Sequence, residues 1–281
     1  MIPIKSKNLD KQVLHFAKYE GAGNDFVIVD AMESPLDLSI EQVQRICDRR
    51  FGVGADGLIF IRMSENADYD MVYHNADGEV GSMCGNGARC AFSFARLKGY
   101  VGDTARFMAY DGVHTARLLE GGWVEVSMSD VSMSDISTGD IAALSEGSGD
   151  CVLDTGSPHY VRFVTDVEDI DIVEEGRKIR YSETFKEEGI NVNLVEVHED
   201  YIRLKTYERG VEDRTLACGT GAAAVALAYA DKQGLLEGPV VLKADGGDLS
   251  VNFKRTNSGF KNIVLQGPVR EVFTGTISLL S

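Results

Sequence analysis

The stretch "SMCGNGARC", residues 82 to 90, places Cys84 directly before a Gly-Asn-Gly turn, and "AFSFARLKGY", which follows it, reads as a helix. The arrangement returns at Cys218 in "LACGTGAAAVALAYADKQG". A cysteine at a helix N-terminus lies beside unpaired backbone N–H groups and the positive end of the helix dipole. This favours the thiolate and predicts a pKa below the ordinary value of about 8.5. The same N–H groups suit a carboxylate or phosphate, and glycines let the backbone approach such a ligand closely. One turn therefore offers a reactive thiol and an anion cradle. Two of them facing each other could address opposite faces of one carbon, one as thiolate base and the other as thiol acid, which inverts a stereocentre. Removing a proton α to a carboxylate builds charge on its oxygens, so donors must already be in place there. Two helix N-termini would supply them.

A lone free cysteine is most often a small buried hydrophobe, and Cys47, Cys90 and Cys151 belong to that class. Cys84 and Cys218 stand apart because each heads the same C-G-x-G-A turn before a helix. Five cysteines, an odd number with no CxxC pair, argue for a reduced compartment rather than a disulfide framework.

The elements that must position these thiols repeat along the chain. After roughly 13 polar, loose residues come two strands around a Gly-rich turn in "LHFAKYEGAGNDFVIVDAM". A helix in "SIEQVQRICDRR" follows behind Ser39 as cap, then a strand in "GLIFIRM", extended runs around "ADGE", and the Cys84 turn with its helix. Alternating strands run through "ARLLEGGWVEVSM" to a Ser/Asp/Gly-rich stretch over residues 128 to 150 that reads as a linker. Strands, a polar helix in "VEEGRKIRYSETF", further strands and the Cys218 turn then recur, so the chain shows two halves of similar plan with a period of 134 residues.

Composition narrows the partners. The balance of 28 basic and 44 acidic side chains gives a net charge of -16, which repels nucleic acid and anionic lipid. No apolar run approaches the roughly 20 residues that span a bilayer, and the amino-terminal sequence lacks the apolar core of a secretion signal, so the chain reads as cytoplasmic. "GVGADG" at 52 to 57 satisfies the dinucleotide fingerprint G-x-G-x-x-G. It follows a helix and precedes a strand, the reverse of the order that fingerprint requires, which argues against nucleotide binding. His15, His74, His114 and His198 form no recognisable constellation and no metal site is expected.

The motifs "GAGNDFVIVD", "RRFGVGADG", "NADGEVGSMCGNGARC", "GSPHYV", "INVN" and "YERGVEDRTLACGTGA" follow one another in an order that resembles the diaminopimelate epimerase family. These are cofactor-independent two-cysteine epimerases of lysine and cell-wall precursor synthesis, and the resemblance covers almost the whole chain. It implies an α+β fold of two similar domains, each a mixed β-sheet curled like a barrel around a central α-helix, with the active site in the cleft between them. The halves would be residues 14–130 with 266–281, and 150–265. Cys84 and Cys218 would be the acid/base pair. Gly85, Asn86, Gly219 and Thr220 would hold the reacting carboxylate, and Asn24, Asn75 and Asn191 would hydrogen-bond the substrate's amino and carboxylate groups. Glu208 would bind the ammonium, Arg209 a carboxylate by a bidentate fork, and His159 would support activity beside the centre. The implied substrate is diaminopimelate, with no cofactor and a homodimeric assembly.

Two positions depart from that pattern. Ser157 stands where many members carry asparagine, and Gly57 where many carry glutamine; the first puts recognition of the substrate's distal end in doubt. Related alternatives are a proline or hydroxyproline epimerase, which needs fewer groups for a substrate charged at one end, and a phenazine-type isomerase, which lacks the two cysteines. A non-catalytic amino-acid binder is the alternative from another class, against which the retention of both thiols argues. A pyridoxal phosphate route would need a lysine in a phosphate-cradling context, and none is evident.

Overall fold

The computed structural model describes residues 13–34, 36–137 and 150–279. The first half runs β1 (Val13–Gly21), β2 (Asn24–Ala31), α1 (Ile40–Cys47), β3 (Gly57–Arg62), β4 (Tyr69–Asn75), α2 (Gly85–Leu97), β5 (Thr104–Ala109), β6 (Gly112–Leu118), β7 (Val124–Ser127), β8 (Val131–Ser132) and β9 (Ile136–Ser137). The second runs β10 (Cys151–Asp154), β11 (Pro158–Phe163), α3 (Ile172–Arg180), β12 (Asn191–Val197), β13 (Ile202–Glu208), β14 (Asp213–Thr215), α4 (Gly219–Gln233), β15 (Val240–Ala244), β16 (Gly247–Thr256), β17 (Gly259–Gly267) and β18 (Arg270–Ser278).

The duplication read from the two cysteine turns extends to the strand pairing. In the first half β1–β2 is antiparallel, β2–β3 parallel, β3–β4 antiparallel, β4–β5 parallel and β5–β6 antiparallel. The series β10, β11, β12, β13, β15 and β16 repeats that order of directions. A parallel pair needs a crossover long enough to return the chain. In each half a short amphipathic helix serves the first such pair and the helix behind the cysteine serves the second.

The helices differ as their sequences require. Ser39 caps α1 through a capping box with Gln42, at 3.3 and 3.0 Å, and Asp171 caps α3. Each packs one face on its sheet, Val43 and Ile46 against Leu58 and Phe60, Ile172 and Ile179 against Val192 and Tyr207. The helices α2 and α4 are enclosed instead. Ala88, Ala91, Phe92 and Ala95 of α2 and the run Ala222 to Ala228 of α4 share one core with the curled strands around them. The alanines of α4 keep that helix thin enough for its sheet to wrap, and Gly234, left-handed at φ 68°, ends it.

One strand joins the halves. β17 pairs with β16 on one side and with β7 and β8 on the other, so the sheet is continuous through 18 strands, and β18 pairs with β1. The expected linker differs in its first part. Val131 and Ser132 pair with β17 and Ile136 and Ser137 reach β10, while Asp130 accepts from the backbone of Asn262 at 3.0 Å. The Ser and Asp residues that resembled a linker cap and anchor this crossing. The rest of that expectation, residues 138–149, and the loose start, residues 1–12, lie outside the described residues.

The turn from α1 into β3 is tied to β2 by charge. Arg49 holds Asp25 through two nitrogens at 3.0 and 2.8 Å and Asp56 at 2.6 Å, and the buried Lys18 reaches Asp25 at 2.6 Å. Burial would raise the Asp25 pKa, but the hydrogen bonds and charges of Arg49 and Lys18 prevail and hold it at about 2. That is below the unfolded value of about 3.9, so its stabilisation is complete above that pH and is lost as pH falls towards 2. The expected outcome is that Asp25→Asn lowers the unfolding free energy near neutral pH by about 2 kcal/mol. Denaturant unfolding between pH 5 and 2 should also show a shallower acid loss in the variant than in the wild type.

Candidate active site

The two cysteine turns meet tip to tip. Cys84 is the N-cap of α2 and its Sγ accepts from Gly87 N at 3.4 Å; Cys218 is the N-cap of α4 and accepts from Gly221 N at 3.4 Å. A methyl group on Gly219 would stand 3.5 Å from Gly85 Cα and 2.9 Å from Leu265 Cδ2, and one on Gly85 would stand 2.8 Å from the same Leu265 carbon. Both helices begin with glycine because there is no room between the tips for a side chain. Two sets of free N–H groups and two positive dipole ends thus converge on one place, which suits a carboxylate.

Around Cys218 the hydrogen bonds have one direction. Asn193 Nδ2 donates to the carbonyl of Tyr160 at 3.1 Å, which fixes the amide, and also to His159 Nδ1 at 3.0 Å. The remaining ring proton is therefore on Nε2, facing Thr220 Oγ1 at 2.9 Å, and the Thr220 hydroxyl is left to donate to Cys218 Sγ at 3.4 Å. Thr206 closes the chain by donating to Asn193 Oδ1 at 3.0 Å. His159 is wholly buried, and burial followed by the nearby Arg209 charge lowers its pKa to about 3, so it is neutral. It orients Thr220, and Thr220 supplies a proton towards Cys218.

Around Cys84 the surroundings are amide groups. Asn86 Nδ2 donates across the junction to Ala217 O at 3.1 Å and to Asn24 Oδ1 at 3.3 Å, and Cys84 Sγ lies 3.9 Å from that Asn24 oxygen. Asn24 in turn donates to Asp56 at 2.6 Å, so the Gly-rich stretch that imitates a dinucleotide fingerprint serves here to anchor Asn24. Asn75, half-buried, ends β4 opposite Gly57, its amide nitrogen 3.2 Å from where a Gly81 side chain would begin.

Glu208 ends β13 with its pKa raised by burial, and no cation is among the groups that shift it. Its charge acts on both cysteines. Arg209 Nη1 donates to Glu188 O at 3.0 Å and Nη2 to Ser157 Oγ at 3.4 Å. Asn191 is turned inward: its amide donates to Ser157 Oγ and Pro158 O at 2.8 and 2.9 Å and accepts from Arg209 N at 2.9 Å. It shapes the turn that carries Arg209.

The thiol pKa runs against the expectation from helix dipoles. Burial raises Cys84 to about 11, against hydrogen bonds from Gly87 and Asn86, with the Glu208 charge adding to the rise. Cys218 is raised further, by burial and Glu208, against Thr220 and Gly221. Desolvation of an anion by the packed residues around it exceeds what one helix terminus returns. Cys47, Cys90 and Cys151 are buried free thiols, as their reading as core residues expects. Among the described residues no cluster could hold a metal, and no helix is long and apolar enough to cross a membrane.

Sequence reasoning missed Asn193, Leu265 and Tyr73. Asn193 had a signal, since it lies two residues after Asn191 on the same face of β12. The ring of Tyr73 occupies the room left by two glycines, 2.4 Å from a methyl built on Gly57 and 2.5 Å from one on Gly81. It fills the space at the position where glutamine is absent.

A duplicated curled sheet with a cysteine at the head of each enclosed helix defines the architecture, and the chain's relatives define the class as isomerases. The fold is similar to that of a Bacillus anthracis phenazine biosynthesis protein of the PhzF family, with a TM-score of 0.74 at 16% identity over 96% of this chain and 100% of that one. The diaminopimelate epimerase family model matches residues 16–134 and 151–272. Diaminopimelate epimerases of Flavobacterium psychrophilum and Chlorobaculum tepidum are 39% and 42% identical, each over 92% of this chain and 98% and 99% of theirs. The chain belongs to the diaminopimelate epimerase family, a family of isomerases.

Thr220→Val removes the hydroxyl that faces Cys218 while leaving the helix cap. The expected outcome is a Cys218 alkylation midpoint moved to higher pH and a loss of turnover of about 10- to 100-fold, the usual worth of one hydrogen bond to a charged group. Iodoacetamide kinetics against pH in a Cys84→Ala background check the midpoint, and steady-state assays of Thr220→Val alone check turnover.

Proposed function

We propose that this protein interconverts LL- and meso-diaminopimelate by proton transfer between two thiols at the α-carbon, without a cofactor. The observation that carries the reading is the junction at which the tips of α2 and α4 touch with a cysteine capping each. In one direction Cys218 as thiolate takes the α-proton and Cys84 as thiol delivers its own proton to the opposite face; the roles exchange in the reverse direction. Charge that builds on the carboxylate is met by the N–H groups behind Cys84 and Cys218, with Gly85, Asn86, Gly219 and Thr220 as the cradle. Both thiols rest protonated at neutral pH, so the base has to release its proton to solvent as substrate binds, before the cleft closes. The substrate ammonium, the converging helix ends and the Thr220 hydroxyl all favour that thiolate.

Glu208, a carboxylate shielded from water, is the partner for the substrate ammonium. Arg209 takes the distal carboxylate, with Ser157 and Asn191 holding its turn, and Asn24 and Asn75 complete the hydrogen bonding on the Cys84 side. His159 acts through Thr220. We take residues 14–130 with 266–281 and 150–265 as the two working halves, which close on substrate and exclude water. A place in lysine and peptidoglycan precursor synthesis, a cytoplasmic location and a homodimer belong to the same reading. The half-exposed Val272 and Phe273 of β18 are available for such an assembly.

Incubation with LL-diaminopimelate in heavy water checks the proposal. Deuterium should enter the α-carbon as the meso isomer forms, and Cys84→Ala and Cys218→Ala should each lower epimerisation by roughly 10²- to 10⁴-fold, the range for losing a positioned acid or base. No exchange by the reduced wild-type protein would sink it.

A further inference from the structure

Arg89 lies five positions after Cys84 on α2 and is 0% exposed. Its Nη1 donates to the carbonyl of Gly85 at 3.4 Å, while Nε and Nη2 have no hydrogen-bond partner among the described residues. Backbone closes on it from two sides. A methyl on Gly267 would stand 3.0 Å from its Cζ and Nη2, and one on Gly21 would stand 3.4 Å from Nη2.

Two general rules oppose a cation in this place. An unpaired charge in a protein interior is strongly destabilising, and a positive group near a helix N-terminus adds to the positive end of the dipole. A residue that breaks both is expected at a site with a task. The groups capable of negative charge that act on Arg89 are Cys90, Cys84 and Glu20, and the methyl built on Gly21 that stands beside the guanidinium would also stand 3.3 Å from Cys90 Sγ. Glu20 is already engaged by Arg270 at 3.2 Å and by Gly23 N at 3.0 Å. Cys90 faces the core, so Cys84 alone borders the cleft. The repeat breaks at this point too: the position five residues after Cys218 is Ala223. Cys218 has the Thr220 hydroxyl, and Cys84 has no hydroxyl facing it in the structure's hydrogen bonds.

We propose that Arg89 is the fixed counter-charge of the Cys84 thiolate, a buried guanidinium behind the helix tip that lets this side of the site carry negative charge away from water. Arg89 does not reach the cleft and acts through Cys84, so it is a positioning residue; the inference rests on the reading of Cys84 as a proton-transfer thiol. The titratable groups around the pair are Glu20 of β1, Asp25 of β2, Tyr73 of β4, Cys90 of α2, Glu208 of β13 and Cys218 of α4. The strands β3, β6, β7 and β17 turn Ile59, Ala116, Val126 and Leu265 into the shared core.

The test titrates Cys84 itself. In a Cys218→Ala background the rate of alkylation by iodoacetamide is followed against pH, the other three cysteines being buried. Arg89→Met should raise the midpoint by about one pH unit or more, a tenfold loss of thiolate below the midpoint, while Arg89→Lys should stay within about 0.3 unit. An unmoved midpoint in folded Arg89→Met overturns the proposal. Circular dichroism reports folding; if Arg89→Met is unfolded, Arg89→Lys decides alone, a rise of a unit or more overturning the proposal and a midpoint near wild type supporting it. The readout is the thiol rather than turnover, so absent deuterium exchange in the wild type would count against the epimerase reading and not against the Arg89 titration.

Discussion

Two helix N-termini that touch are held together against their own dipoles. Each carries a positive end and a set of unpaired N–H groups, and without an anion between them such ends repel. What keeps α2 and α4 in this position is everything around them: the alanine-rich packing of the shared core, Leu265 set against both tips, and the continuous sheet in which β17 belongs to both halves. The junction is thus a built-in demand for a negative group, and the thiols sit at its edge.

The same enclosure that creates the demand also opposes thiolate formation. Desolvation lifts both cysteines well above an ordinary thiol, and the Glu208 carboxylate lifts them further. An enclosed site with a shielded carboxylate is poorly suited to an anionic cysteine by itself and well suited to one beside an ammonium. The site's charges therefore make sense as a set that is completed by a zwitterionic ligand. The two thiols also have unlike supports, a hydroxyl oriented by a neutral histidine on one side and amide groups on the other. Duplication supplied the frame, and the halves have diverged where the chemistry differs.

Much of this was legible in the chain. The repeat, the helix behind each cysteine, the Ser39 cap and the reversed order around "GVGADG" all rest on local signals: glycine turns, capping residues and the spacing of apolar side chains. What escaped depends on packing between distant segments. The alternation with Asn191 could have placed Asn193 on the site's face, but its task of setting the His159 tautomer depends on partners from β11 and β13. Nor does anything local show that Asn191, expected to meet substrate, also holds the turn of Ser157 and Arg209 through its amide. The sign of the thiol shift was misread for a similar reason: a helix dipole is visible in sequence, whereas the burial that outweighs it is a property of the closed sheet. The stretch read as a linker failed at Val131 because its pairing partner, β17, lies more than a hundred residues away.

The glycine-rich segment between α1 and β3 shows how a motif's meaning is set by its neighbours. In isolation "GVGADG" promises a phosphate loop, because glycines free the backbone to approach an anion. Here the same freedom lets the turn fold back on α1, and the aspartate inside it, held by Arg49, fixes Asn24. Asn24 then passes this fixed geometry to Asn86 and so to the tip of α2. An ion-pair cluster with no part in proton transfer thereby sets where one face of the cleft begins, which is why the precision of the thiol pair depends on residues well outside it.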